Sequence, residues 1–124
     1  MRILLVEDHR DTRNALSRIL GMSGHFVQTA TTLADAKDAC KNQTFDLLIC
    51  DIGLPDGNGW ELMRHLRQFC DTPGIALTGY GATEDVEESG ESGYFAHLTK
   101  PVAFDELLHT IKLVLASADE RAGG

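Results

Sequence analysis

No run of apolar residues in this 124-residue chain approaches the ~20 that cross a bilayer as a helix, so membrane insertion is not expected. Basic clusters are also missing. Asp and Glu number 19 against 11 Lys and Arg, a net charge of -8, which argues against direct binding to nucleic acid or an anionic membrane. Cys40, Cys50 and Cys70 are odd in number and lack CxxC spacing. That speaks against disulfides or a zinc motif and for reduced thiols in the cytoplasm. The histidines, at positions 9, 25, 65, 97 and 109, form no HxxxH pair. No secretory signal pattern opens the chain, and no repeat, low-complexity tract or linker divides it. One domain is expected over residues 1–118, with residues 119–124 as a disordered tail.

What is present is a regular alternation. Residues 2–6 form an apolar run ended by Glu7 and Asp8, the pattern of a buried parallel strand. Residues 11–22 carry Ala15, Leu16, Ile19 and Leu20 on one helix face, and Gly24 stops it. Residues 25–30 read as a less apolar strand at a sheet edge. Thr32 and Asp35 open a second helix with Leu33, Ala36, Ala39 and Cys40 inward. Residues 47–50 form a third apolar run, ended by Asp51. Pro55, Gly57 and Gly59 exclude regular structure after it. Asn58 and Glu61 cap a third helix with Leu62, Met63 and Leu66 inward and Trp60 beside them.

Residues 73–77 predict a fourth strand, loosened by Gly74 and ending in Thr78 and Gly79. Residues 82–91 predict a weak helix whose Glu84, Asp85, Glu87, Glu88 and Glu91 form a solvated face. Residues 94–99 hold a fifth strand, ended by Lys100 and Pro101. Phe104, Leu107, Leu108, Ile111, Val114 and Leu115 define a final amphipathic helix, followed by a frayed tail from Ala118.

Five strands alternating with helices imply an α/β fold: a doubly wound, five-stranded parallel sheet joined by right-handed crossovers. A flavodoxin-like strand order, 2-1-3-4-5, sets strands one and three together at the centre. Strands one, three, four and five end in Glu7-Asp8, Asp51, Thr78 and Lys100. These groups then converge on one crevice at the carboxyl edge, where such sheets bind ligands. Three crowded carboxylates need compensation. Lys100 supplies one positive charge, and Mg²⁺ suits the remainder because it takes carboxylate, water and phosphate oxygens. Around a phosphoryl group, Lys100 binds one oxygen, the Thr78 hydroxyl donates to another, and Gly79 leaves its N–H open. Asp51 is placed as a nucleophile that forms an aspartyl phosphate.

Leu5-Val6-Glu7-Asp8, Asp51-Ile52-Gly53-Leu54-Pro55 with Gly59 behind it, Leu77-Thr78-Gly79 and Leu98-Thr99-Lys100-Pro101 together resemble the receiver domain of two-component response regulators. The likeness runs over essentially the whole chain and is strongest to receivers at the carboxyl end of hybrid histidine kinases. It implies a bacterial, cytoplasmic phosphorylation switch rather than an enzyme, with self-phosphorylation and self-dephosphorylation as its only chemistry. Asp51 would accept a phosphoryl group from a histidine kinase or a histidine phosphotransfer protein. Glu7, Asp8, Asp51 and the Gly53 carbonyl would hold Mg²⁺. Thr78 and His97 would form the switch, with Lys100 reading the phosphoryl group, and the Lys100–Pro101 bond would be cis.

Gly57 and Asn58 depart from the usual Met and Asp before the glycine. His97 stands where most members carry Tyr or Phe, which puts the usual switching movement in doubt. Two other classes remain open. One is a Mg²⁺-dependent phosphohydrolase with an aspartyl nucleophile, although Gly53 occupies the position where such enzymes want a second acid. The other is a flavodoxin-like binding module, although Glu7 and Asp8 would repel a cofactor phosphate there.

Overall fold

The computed structural model describes residues 1–79 and 93–123; the helix expected over 82–91, with its acidic residues, lies outside them. The chain runs β1 (Arg2–Val6), α1 (Arg10–Met22), β2 (Phe26–Ala30), α2 (Leu33–Asn42), β3 (Leu47–Asp51), β4 (Gly53–Leu54), β5 (Gly57–Asn58), α3 (Gly59–Leu66), β6 (Gly74–Thr78), β7 (Ala96–Thr99) and α4 (Phe104–Gly123). The main sheet has the order β2-β1-β3-β6-β7, and every pairing in it is parallel. This is the expected 2-1-3-4-5 topology, with β2 at an edge.

Alternation along the strands sorts the core into two layers. Leu4, Val6, Leu48, Cys50 and Ala76 face α2 and α3, where Leu33, Ala36, Leu62, Met63 and Leu66 close over them. Ile3, Leu5, Leu47, Ile49, Ile75 and Leu77 face α1 and α4, against Leu16, Leu20, Leu107, Ile111 and Val114. Burial of each large aliphatic side chain contributes roughly 1.5–3 kcal/mol. Both sequence-predicted caps form: Thr32 Oγ1 accepts the Asp35 N–H at 3.1 Å, and Asn58 Oδ1 accepts the Glu61 N–H at 3.0 Å. Gly24 follows α1 with φ of +92°, a conformation that glycine adopts without strain.

Several expectations need correction. Ala15, Phe104 and Leu115 are exposed, because α1 and α4 bury narrower stripes than their sequence periodicity suggests. The stretch after Asp51 is not wholly irregular. Gly53–Leu54 and Gly57–Asn58 pair antiparallel around Pro55 and Asp56, since a proline at a turn still permits a two-residue ladder. α4 runs to Gly123, and residues 118–122 (Ala, Asp, Glu, Arg, Ala) contain no helix breaker.

Gly74 does not loosen its strand. All five residues of β6 are buried, and a Cβ at Gly74 would lie 2.3 Å from Met63 Cε and 2.9 Å from Tyr94 Cδ1. The missing side chain is the space those neighbours fill. Among the described residues, no helix is long and apolar enough to cross a membrane.

Candidate functional site

Parallel register brings the strand ends level, so the residues just beyond them share one crevice. Glu7 follows β1, and its N–H bonds to the Ala30 carbonyl at 3.0 Å. Asp51 ends β3. Thr78 ends β6, and its carbonyl accepts the Lys100 N–H at 2.8 Å, which anchors the turn after β7. The Lys100–Pro101 peptide is cis. Glycine is required at the base of the crevice: a Cβ on Gly59 would lie 2.8 Å from the Asp51 carbonyl oxygen, so α3 begins tight against the Asp51 backbone.

Lys100 Nζ bridges two carboxylates, donating to Asp51 Oδ2 at 2.7 Å and Glu7 Oε1 at 2.8 Å. Glu7 is fully buried and Asp51 nearly so, whereas Asp8 and Lys100 reach solvent in part. Burial pushes the Glu7 carboxyl up to about 7; hydrogen bonding to Asp51 adds to the rise, and Lys100 opposes it. For Lys100, burial disfavours the charge, but the hydrogen bonds to Asp51 and Glu7 outweigh it and hold the ammonium above its ordinary value. Even so, one ammonium faces three carboxylates. Glu7 Oε2 and Asp8 Oδ1 are buried atoms without a hydrogen-bond partner among the described residues. Native structures rarely leave such groups orphaned, so the crevice is chemically incomplete among the described residues.

The donors suit a hard cation. One ligand atom from each of Glu7, Asp8 and Asp51 lies within 4.8 Å of the others, and His9 joins the same cluster. Gly53 enters differently: its N–H donates to Asp51 Oδ1 at 3.2 Å and orients the carboxylate. Thr78 is buried, and among the described residues its hydroxyl donates to the Leu98 carbonyl at 3.5 Å, a long bond. His97 stands apart from the crevice, exposed on the edge strand β7 opposite Ala76.

Three supporting residues escaped the sequence reading. The Asp56 carboxylate, from the turn between β4 and β5, accepts the Leu33 N–H at 2.7 Å and the Ala34 N–H at 3.0 Å. Those two bonds hold its carboxyl below the usual range and pin the loop after Asp51 to the amino end of α2. Tyr94 is buried, and its hydroxyl donates to the Gly59 carbonyl at 2.8 Å, tying the entry of β7 to the start of α3. Arg13, on α1, turns inward: its guanidinium donates to the Glu7 and Asp8 carbonyls, both at 3.2 Å. A groove of about 590 Å³ runs from the crevice along α1, lined by His9, Thr12, Ala15, Lys100, Pro101 and Phe104 among others.

Residues 3–112 match the family model of the response regulator receiver domain. The chain is 35% identical over 116 residues to the transcriptional regulatory protein CusR of Escherichia coli (strain K12), covering 93% of this chain and 51% of that protein. It is 32% identical over 112 residues to the sensor histidine kinase RcsC of Salmonella typhi, covering 90% of this chain and 12% of that protein. A solved CheY-like response regulator receiver domain protein from Methanospirillum hungatei JF-1 superposes with a TM-score of 0.91, at 31% identity and 97% coverage of both chains. The chain thus spans about half the length of the transcriptional regulators it matches.

Proposed function

The chain belongs to the response regulator receiver domain family, and from that premise we propose that Asp51 is its phosphoacceptor. The observation that carries this reading is the position of Asp51: a carboxylate at the end of the central strand β3, 2.7 Å from the Lys100 ammonium and clustered with two further acids. Family membership makes this a phosphorylation-dependent signalling domain. It favours neither the phosphohydrolase nor the flavin-binding alternative.

In the proposed reaction, an Asp51 carboxylate oxygen attacks the phosphorus of a phosphohistidine on a histidine kinase or histidine phosphotransfer protein. The P–N bond breaks, a P–O bond forms, and the imidazole leaves with its electron pair and takes up a proton from solvent. A bound Mg²⁺ supplies charge neutralisation for the transferring group. Asp8 and Asp51 would hold it directly, with Glu7 acting partly through water and the Gly53 carbonyl completing the set. Lys100 then exchanges its contacts to Asp51 and Glu7 for a phosphoryl oxygen, and the Thr78 hydroxyl turns from Leu98 toward another. The groove along α1 is the approach for the donor helix. The acidic surface makes protein partners, rather than nucleic acid, the expected readers of the switch. His97 belongs to this reading as the residue that follows Thr78 on activation. Its ring resonances should move when beryllofluoride mimics the phosphoryl group, and unchanged resonances would place the output elsewhere.

Acetyl phosphate with Mg²⁺ tests the acceptor. Intact-mass analysis should show one acid-stable, base-labile phosphoryl group on the parent and none on Asp51→Asn. Equal labelling of that variant would remove Asp51 from the role.

A further inference from the structure

A fourth candidate donor stands beside the three acids. One ligand atom each from Glu7, Asp8, His9 and Asp51 lies within 4.8 Å of the others. Donors on opposite sides of an octahedral cation with ~2.1 Å bonds stand ~4.2 Å apart. All four therefore close around a single ion with small side-chain adjustments. The cluster is aimed at a ligand and is not merely a patch of acids. Glu7 is fully buried with Oε2 unpartnered among the described residues, and the buried Asp8 Oδ1 shares that condition. His9 Nδ1 lies 3.4 Å from that same Asp8 oxygen.

His9 is well placed to move. It occupies the N-cap position of α1, yet its side chain makes no capping bond, and the side chain is 72% exposed. Its ring therefore swings toward the ion without breaking a contact that the helix needs. We propose that His9 contributes an imidazole nitrogen to the cation in place of one water, and so tilts the site from Mg²⁺ toward divalent transition cations. The inference rests on the cation reading above and deepens it by naming the donor that sets metal preference. Mg²⁺ gains little from a nitrogen ligand and keeps its waters, whereas affinity for nitrogen-containing sites rises from Mn²⁺ through Fe²⁺ and Co²⁺.

Mn²⁺ itself is the probe. Electron spin-echo envelope modulation of the Mn²⁺-loaded parent should show coupling to a coordinated nitrogen, and His9→Ala should lose it. Calorimetry on the same two proteins should show Mn²⁺ affinity falling ~10-fold in the variant, the scale at which even outer-shell partners of metal ligands count. Mg²⁺ affinity should stay near that of the parent. Because His9 is exposed and caps nothing, the variant should fold, and a circular-dichroism melt checks that it does. Absence of nitrogen coupling in the parent, or a parallel fall of both affinities, would overturn the role of His9. The cation reading survives that result wherever Mg²⁺ still binds the parent and is lost in Asp8→Asn. A parent that binds neither ion overturns both.

Discussion

In the body of the sheet, Ile3, Leu4, Leu5, Ile49 and Ile75 are fully buried among apolar side chains, whereas at the carboxyl edge Glu7 and Asp51 are buried almost as completely and bear carboxylates. The two regions differ in how far the chain satisfies itself. In the body, even the absent side chain of Gly74 is filled by Met63 and Tyr94. At the carboxyl edge, a single ammonium bridges two of three acids, and buried oxygens lack partners among the described residues. Stability is concentrated in the first region. The second is held short of its electrostatic optimum, in the arrangement that a cation and a phosphoryl group would complete.

The largest effect should come from the body. Ile49→Ala removes a fully buried side chain from the central strand and should lower unfolding free energy by roughly 2–5 kcal/mol in urea titration. A loss of only a few tenths would mean that the body is not tightly packed. Gly74→Ala should come next, destabilising by roughly 1–3 kcal/mol, because the new Cβ must displace Met63 and the Tyr94 ring. If alanine stabilised instead, as it does where glycine merely loosens a strand, the packing account would be wrong.

At the edge the sign reverses. Burial raises the Glu7 carboxyl from 4.5 to about 7. The folded state therefore holds this proton more tightly than the unfolded chain does. The contribution is fully present below 4.5 and is lost as pH rises through about 7. Without divalent cations, the parent should lose stability across that window, and Glu7→Gln should flatten the loss. Above it, the variant should be the more stable protein, by on the order of 1 kcal/mol. A steeper loss in the variant would show that the Lys100 contact outweighs the burial of charge. Asp56→Ala should give the smallest change. The exposed Asp56 carboxyl sits below its ordinary 3.8, so its contribution is present above that value and fades as acid titrates the group. A slight drop in melting temperature near neutral pH should disappear in acid, and a pH-independent drop would assign the effect to the turn rather than to the charge.

Much of this contrast was legible in the chain itself. Short, largely apolar runs and the residues that end them located the five main strands, and the Thr32–Asp35 and Asn58–Glu61 pairs marked two helix starts. The strand ends then named Glu7, Asp8, Asp51, Thr78 and Lys100 as neighbours, because a parallel sheet leaves few ways to arrange them. Contacts between distant residues left no local trace. Asp56 reaches Leu33 and Ala34 across more than twenty positions, and Tyr94 reaches Gly59 across 35. Nothing in the helical pattern of α1 distinguishes an inward-turning Arg13 from a solvated one. Gly74 misled because propensity weighs a missing side chain as a loss, while tertiary packing here uses the space. Exposed Phe104 and Leu115 fit the helix period, which records amphipathicity but not how much of the apolar face finds a neighbour.

Mg²⁺ titration of thermal stability, in the parent and in Asp8→Asn, addresses the carboxyl edge most directly. A cation that binds the folded state alone stabilises it by about 1.4 kcal/mol at ten times its dissociation constant, which is several degrees for a domain of this size. Removal of one carboxylate should relieve repulsion, so metal-free Asp8→Asn should melt above the metal-free parent. The account predicts that millimolar Mg²⁺ raises the parent's melting temperature by those several degrees and leaves Asp8→Asn nearly unchanged. Equal shifts in the two proteins, or none in the parent, would contradict an edge built to receive a cation.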